Sequence, residues 1–153
     1  MSEKTAIIFI GIQASGKSTF YHEQFATYTH INLDTLHTRN KENLLLQECV
    51  ECGRSFVVDN TNPTKEDRQR YIRIAKDRGF RIHGYYFRSS VSDSIERNRK
   101  REGKARIPDR AVACTHHKLE LPQYEEGFDK LFYVHIENGK FVVEDWNEEG
   151  KDL

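Results

Sequence analysis

Apolar residues along this chain fall into short unbroken runs, separated by segments where they recur every three or four positions. The run Thr5-Ala6-Ile7-Ile8-Phe9-Ile10 is apolar on both faces that a strand would present, which suits a central strand of a parallel sheet. A Gly-rich stretch follows from Gly11, then a helical pattern from about Lys17 to Phe25. His30-Ile31-Asn32-Leu33 reads as a short strand with Asp34 at its carboxyl end. From about Asn40 to Cys52, Leu45, Leu46, Cys49 and Val50 mark one face of a helix that Gly53 would end. Ser55 to Asp59 is a second buried-strand pattern. Thr64 with Asp67 resembles a capping box and predicts a helix ending near Gly79. Phe80 to Phe87 reads as a strand. Ser90 with Asp93 repeats the capping signal for a helix through about Arg101, which Val91 and Ile95 would anchor to the core. Gly103 to Ile107 should break that helix, and Pro108 suits the start of another. Leu131 to Ile136 is a final strand, with Phe141-Val142-Val143 pairing beyond an Asn138-Gly139 turn. Strands alternating with helices predict an α/β fold with a mainly parallel sheet and helices on both faces.

Length and composition bound this picture. At 153 residues the chain reads as one domain, 1–153, with a real core and no dividing linker. No apolar run approaches the roughly 20 residues of a membrane span. Met1-Ser2-Glu3-Lys4 has no signal-peptide pattern, so a cytoplasmic protein is expected. The odd count of three cysteines argues against a disulfide framework. Cys49, Cys52 and Cys114, the last close to His116 and His117, could be drawn into a zinc site, but without a second C-x-x-C they read as packing residues. Net charge is zero, yet its distribution is uneven. Residues 65–106 carry 14 Lys or Arg against 6 Asp or Glu, and residues 120–153 carry 3 against 10. A basic middle suits phosphate handling on one face; ordinary solvated helices would also produce it.

Gly11-Ile12-Gln13-Ala14-Ser15-Gly16-Lys17-Ser18 matches G-x-x-x-x-G-K-[ST], between a buried strand and a helix as that motif requires. It predicts a P-loop NTPase fold and an ATP site over Gly11, Gln13, Ala14, Ser15, Gly16, Lys17, Ser18 and Thr19. Backbone N–H groups and the helix N-terminus would face the phosphates. Lys17 would bring a full charge to the β/γ-phosphates, and the Ser18 hydroxyl would ligate magnesium. The loop alone does not name an acceptor.

Three features point to phosphoryl transfer. Asp34 ends a strand one crossover after the loop, where a carboxylate can take a proton from an incoming hydroxyl; an N-cap role for it stands equally. Asp59 ends the next strand, where a carboxylate orders magnesium or its water, and Asn60-Thr61-Asn62 adds hydrogen-bonding capacity. The alternative there is an ordinary Asx turn. Arg97 and Arg101 lie four apart before a Gly-containing loop, as an arginine-bearing lid over ATP would have them. Arg99, Lys100, Lys104 and Arg106 crowd the same stretch.

Together these segments resemble the kinase domain of the polynucleotide 5′-kinases, the phage RNA-repair and animal DNA-repair enzymes, from Ile7 to about Phe128. The parts are the loop from Gly11 to Ser18, Ile31 to Leu36, Val58 to Pro63 and Arg97 to Arg101. The segment Asp59-Asn60-Thr61-Asn62-Pro63 is the most specific, since it is no general feature of such loops. The resemblance implies Asp34 as general base, Lys17 and Arg101 as catalytic cations, Arg97 as a second lid residue, and Ser18 with Asp59 at magnesium. It implies a substrate surface including Asp34, Asn60 and Thr61. Two positions depart: Leu33 and His37 stand where arginines often do. Arg39 or Arg68 could supply that grip instead. A phosphatase domain accompanies the kinase in those enzymes; 153 residues leave no room for one, so no phosphatase activity is expected of them. ATP, magnesium and a 5′-hydroxyl polynucleotide are thus the expected ligands. A small-molecule kinase and a non-catalytic nucleotide-binding module remain the alternatives.

Overall fold

Six strands form one sheet in the computed structural model, which describes residues 4–101 and 107–147. They are β1 (Thr5–Ile10), β2 (Thr29–Ile31), β3 (Phe56–Val58), β4 (Arg81–Phe87), β5 (Lys130–Glu137) and β6 (Lys140–Asp145). Their order is β2-β3-β1-β4-β5-β6. The first five strands in sequence run parallel, and β6 pairs antiparallel to β5. β5 passes to the edge strand β6 through the Asn138-Gly139 turn, where both residues have positive φ (51° and 73°), as a tight hairpin demands.

β1 lies at the centre and all six of its residues are buried. Its alternation divides the core. Ala6, Ile8 and Ile10 pack with Leu46, Cys49 and Val50 of α3 (Arg39–Cys52) and with Tyr71, Ile72 and Ala75 of α4 (Lys65–Asp77). Ile7 and Phe9 face the other way, onto Phe20 and Tyr21 of α1 (Lys17–Gln24), Phe87 and Val134. Phe9 and Phe20 meet Phe87 edge-on at centroid distances of 5.0 and 5.3 Å, the geometry that aromatic quadrupoles favour.

Capping residues set the helix ends. Thr64 and Asp67 form a reciprocal box at the start of α4, and Gly53, at φ 68°, ends α3. Elsewhere the structure differs from the periodicity. β2 stops at Ile31, because Asn32 Oδ1 accepts from Thr35 N (3.1 Å) and caps a single-turn helix, α2 (Leu33–Leu36). Asp34 is therefore the second residue of α2 and not its cap. The helix expected to reach Arg101 is α5 (Val91–Arg99), and α6 (Asp109–Lys118) follows. Val91 and Ile95 are only partly buried; Ser94 and Asn98 lie on the buried face instead. The Asn98 amide explains this choice, since it accepts from Ile107 N at 2.9 Å and donates to Ile107 O, clasping the chain on either side of residues 102–106. Lys104, Arg106 and most of the expected break lie outside the described residues. Among the described residues no helix is long and apolar enough to cross a membrane.

Candidate active site

The loop from Gly11 to Ser18 turns at the carboxyl end of β1. Two glycines make the turn possible. A Cβ on Gly11 would lie 3.0 Å from Phe87 Cβ, and Gly16 has φ 98° with Phe141 3.0 Å from where a Cβ would be. Ala14 also has positive φ, 59°. The loop is braced from outside: Gly11 N donates to Thr61 O (3.0 Å) and Ile12 N to Ser89 Oγ (3.2 Å). α1 starts directly from the loop with no acidic residue in its first turn, so its positive end is left for an anion.

Lys17 is buried, and its Nζ donates to the carbonyls of Gly11 (3.0 Å) and Ile12 (2.7 Å) and to Ser15 Oγ (3.3 Å). Burial lowers its pKa to about 8, against an opposing pull from Asp59; Arg101 lowers it further and Asp34 raises it. Those electrostatic effects join the four groups the sequence singled out: Asp59, Arg101 and Asp34 all act on the Lys17 ammonium.

Asp59 is 2 % exposed, and two side chains meet its Oδ2: Ser18 Oγ at 2.7 Å and His30 Nε2 at 2.7 Å. His30 is in turn stacked on Tyr21, centroids 3.9 Å apart and planes 12° from parallel. Tyr21 Oη donates to Tyr28 O at 2.6 Å, and burial with the nearby Asp59 charge pushes its pKa up. His30 belongs to the site although the sequence marked it only as a strand residue. No local pattern marks it: the pairing of β2 with β3, which ends one residue before Asp59, brings His30 to that carboxylate. Ser18 and Asp59 offer hard oxygen donors at one point, a fit for magnesium.

Asp34 is exposed on α2, at the carboxyl edge of the sheet two strands from β1. Its charge acts on the Lys17 ammonium of the loop. Each residue of the Asp59-Asn60-Thr61-Asn62-Pro63 segment ties something to this edge. Asp59 O takes Asn32 Nδ2. Asn60 Oδ1 accepts from Leu33 N (2.9 Å), and its Nδ2 donates to Glu42 Oε2 (2.9 Å) and Tyr71 Oη (3.2 Å). Thr61 supplies the carbonyl for Gly11. Asn62 Nδ2 donates to Phe9 O (2.8 Å), and Pro63 O accepts from Glu120 N (2.7 Å). Asn60 was expected to touch substrate; both of its amide hydrogens are engaged within the protein, so its work is to hold the turn that carries Asp34.

A second correction concerns Arg68. It is fully buried: Nε and Nη2 bond Glu126 at 2.8 and 3.0 Å, and Nη1 bonds the carbonyls of Asn62 (3.0 Å) and Glu120 (3.0 Å). It fastens α4 to the segment before β5 and presents nothing to a ligand. Arg39 remains half-exposed, with Nη1 on Glu42 Oε1 (2.9 Å) and Tyr71 Oη (3.1 Å).

Arg97 on α5 reaches the loop, donating to Ala14 O at 3.3 Å. Arg101 lies just past the helix end and is exposed. Gln13 Nε2 donates to Thr115 Oγ1 of α6 (2.8 Å), so both helices following β4 touch the loop. Beside Ser15 a groove opens between Arg88, Arg97, His135, Ile136 and Phe141. Cys49 is buried while Cys52 and Cys114 are exposed, and among the described residues no three His, Cys, Asp or Glu side chains are arranged to hold a metal.

With this geometry in hand, comparison with known proteins gives the class. The sequence model of the AAA domain family matches residues 40–122, more than half of the chain, and the chain belongs to that family. The matched stretch begins after the loop and includes Asp59, Arg97 and Arg101. Among curated proteins, the chain is 30% identical over 146 residues to the "Bifunctional polynucleotide phosphatase/kinase" of Schizosaccharomyces pombe, covering 92% of this chain. It is 29% identical over 155 residues to the "Putative bifunctional polynucleotide phosphatase/kinase" of Acanthamoeba polyphaga mimivirus, covering 94%. The chain spans 36% of the length of each of these relatives. Among solved structures, a gluconokinase from Sinorhizobium meliloti superposes with a TM-score of 0.59 at 20% identity, over 88% of this chain and 84% of that one. That likeness establishes a shared fold.

Proposed function

We propose that this chain is an ATP-dependent phosphotransferase whose acceptor is the 5′-hydroxyl of a DNA or RNA strand. The observation that carries this reading is the pairing of Asp34 with the loop. An exposed carboxylate, not spent on capping, lies close enough to Lys17 to act on its charge. The S. pombe relative's name supports a polynucleotide as acceptor.

In the proposed reaction the triphosphate lies along the loop amides, with Lys17 released from Gly11 and Ile12 to meet the β/γ oxygens. The base would occupy the groove beside Ser15, against Ile136 and Phe141. Asp34 accepts the proton of the acceptor hydroxyl while that oxygen attacks the γ-phosphorus in line. The bond from the γ-phosphorus to the β–γ bridging oxygen breaks, leaving ADP and a 5′-phosphomonoester. Arg101, with Arg97 beside it, neutralises charge developing on the transferring group. Magnesium would be held by Ser18 and Asp59, and when bound it neutralises charge on the phosphate oxygens. His30 keeps the Asp59 carboxylate turned toward Ser18.

Leu33 and His37, where the resembling family has arginines, favour a second reading, a kinase of a phosphate-free metabolite. Incubation with γ-labelled ATP and 5′-hydroxyl DNA and RNA oligonucleotides separates the two. Label at the 5′ end is expected; no label on either polymer, with ATP consumed on a sugar or nucleoside, would replace the first reading by the second.

A further inference from the structure

Gln13 stands at the third position of the loop, one of those that the G-x-x-x-x-G-K-[ST] pattern leaves open, and the transfer chemistry above does not use its side chain. Its Nε2 donates to Thr115 Oγ1 of α6 at 2.8 Å. The Thr115 hydroxyl in turn donates to Ala111 O at 2.9 Å. A hydroxyl has one hydrogen, and here it is spent within α6, so Thr115 can only accept from Gln13. That fixes which way the amide faces: nitrogen to Thr115, oxygen away. The oxygen is left buried with no hydrogen-bond partner among the described residues. Nε2 keeps a second hydrogen, and among the described residues the Gln13 side chain makes no bond besides the one to Thr115.

An unpaired buried carbonyl oxygen costs stability, so this contact is a poor fastener. Asn98 gives the contrast. Its amide joins two segments and uses both ends, the oxygen on Ile107 N and the nitrogen on Ile107 O. The residues on either side of Gln13 tell where its amide lies. Ile12 O accepts from the Lys17 ammonium at 2.7 Å, and Ala14 O accepts from Arg97 Nη1 at 3.3 Å. Those are two of the cations that the proposed reaction brings to the γ-phosphoryl group. Gln13 sits between their anchors.

We infer that Gln13 is a further catalytic residue, whose second amide N–H donates to a peripheral oxygen of the γ-phosphoryl group during transfer, and that Thr115 is the positioning residue that turns it there. The inference rests on the phosphotransferase reading above. No proton moves through Gln13; Asp34 still takes the proton of the attacking hydroxyl. The amide supplies a fixed dipole where charge develops, and the stranded oxygen is what aiming the nitrogen costs. Because Thr115 belongs to α6, the amide is aimed only while α6 stays docked on the loop.

Three variants test this. Gln13→Met keeps the length of the side chain and removes the amide. Thr115→Val keeps the shape and removes the hydroxyl, and Thr115→Ser keeps the hydroxyl. Each is compared with wild type for single-turnover transfer from γ-labelled ATP to a 5′-hydroxyl strand and, without a strand, to water. Affinity for a fluorescent ADP analogue and the thermal midpoint are measured beside it. Gln13→Met and Thr115→Val are expected to slow both transfers by about ten- to a hundredfold, with ADP affinity within about twofold of wild type, since ADP has no γ-phosphoryl group. The midpoint of Gln13→Met should be no lower than that of wild type, because the stranded oxygen leaves with the amide. Thr115→Ser should transfer within about threefold of wild type. Wild-type transfer by Gln13→Met overturns the inference, as does ADP affinity lost in step with transfer, or Thr115→Ser as slow as Thr115→Val. If wild type labels no strand yet passes phosphate to water, the polynucleotide reading falls, and Gln13 stands or falls on the rates to water. If wild type does neither, both are overturned.

Discussion

Lys17 shows how a single side chain couples fold to ligand. Its pKa of about 8 in the folded chain, set chiefly by burial, lies below the ordinary 10.5. Between these values the unfolded chain holds a proton that the folded chain lacks, so stability of the nucleotide-free protein should rise with pH from about 8 to 10.5. Triphosphate oxygens favour the ammonium and should restore its proton. Calorimetry of ATP binding in two buffers of different ionisation enthalpy should therefore register proton uptake at pH 8.5 and almost none at pH 6.5; equal uptake at both would contradict it. Lys17→Ala should reduce transfer by at least about a hundredfold. His30 was invisible as a site residue in the sequence because its partner, Asp59, is distant along the chain and close only through strand pairing. His30→Ala should raise the magnesium concentration needed for half-maximal nucleotide binding by about tenfold, measured by titration with a fluorescent ATP analogue.

At the scale of elements, the sequence was most legible where a local rule sufficed. Thr64 with Asp67, Gly53 and Asn138-Gly139 each declare an end or a turn from their own chemistry, and β1 declares its burial by being apolar on both faces. Thr64→Ala should cost about 1 kcal/mol in urea unfolding, the usual worth of such a cap, with kinetics unchanged. Legibility failed where tertiary contacts chose between local options. α2 is too short for a periodic signal, and it exists because Asn32 caps it and also bonds the backbone of Asp59. α5 presents Ser94 and Asn98 to its buried side because the Asn98 amide has Ile107 to bond. A hydrophobic period cannot reveal a polar clasp of that kind.

Across the whole molecule, the strand order β2-β3-β1 brings the segments that carry Asp34, Asp59 and the loop to one edge of the sheet, at neighbouring strand ends. Motif spacing anticipated this arrangement, since carboxyl ends of parallel strands gather on one side. It did not anticipate how the arginines near this edge divide. Arg68 disappears into a buried pair with Glu126, joining the basic stretch to the acidic one, whereas Arg39 and Arg70 stay half-exposed around Glu42. Arg68→Met should therefore lower stability by about 3–5 kcal/mol through the stranded Glu126 carboxylate, read by urea unfolding, and should leave KM for the acceptor unchanged in the folded fraction. A raised KM with unaltered stability would return Arg68 to the substrate surface.

The central claim is that Asp34 takes a proton from a hydroxyl facing bound ATP. The most direct test measures ATP affinity and single-turnover transfer to a 5′-hydroxyl strand for wild type and Asp34→Asn side by side. Affinity within about twofold of wild type and transfer lower by a factor of about 10² to 10⁴ is the predicted result. Transfer at the wild-type rate, or loss of ATP binding in step with loss of transfer, would contradict it.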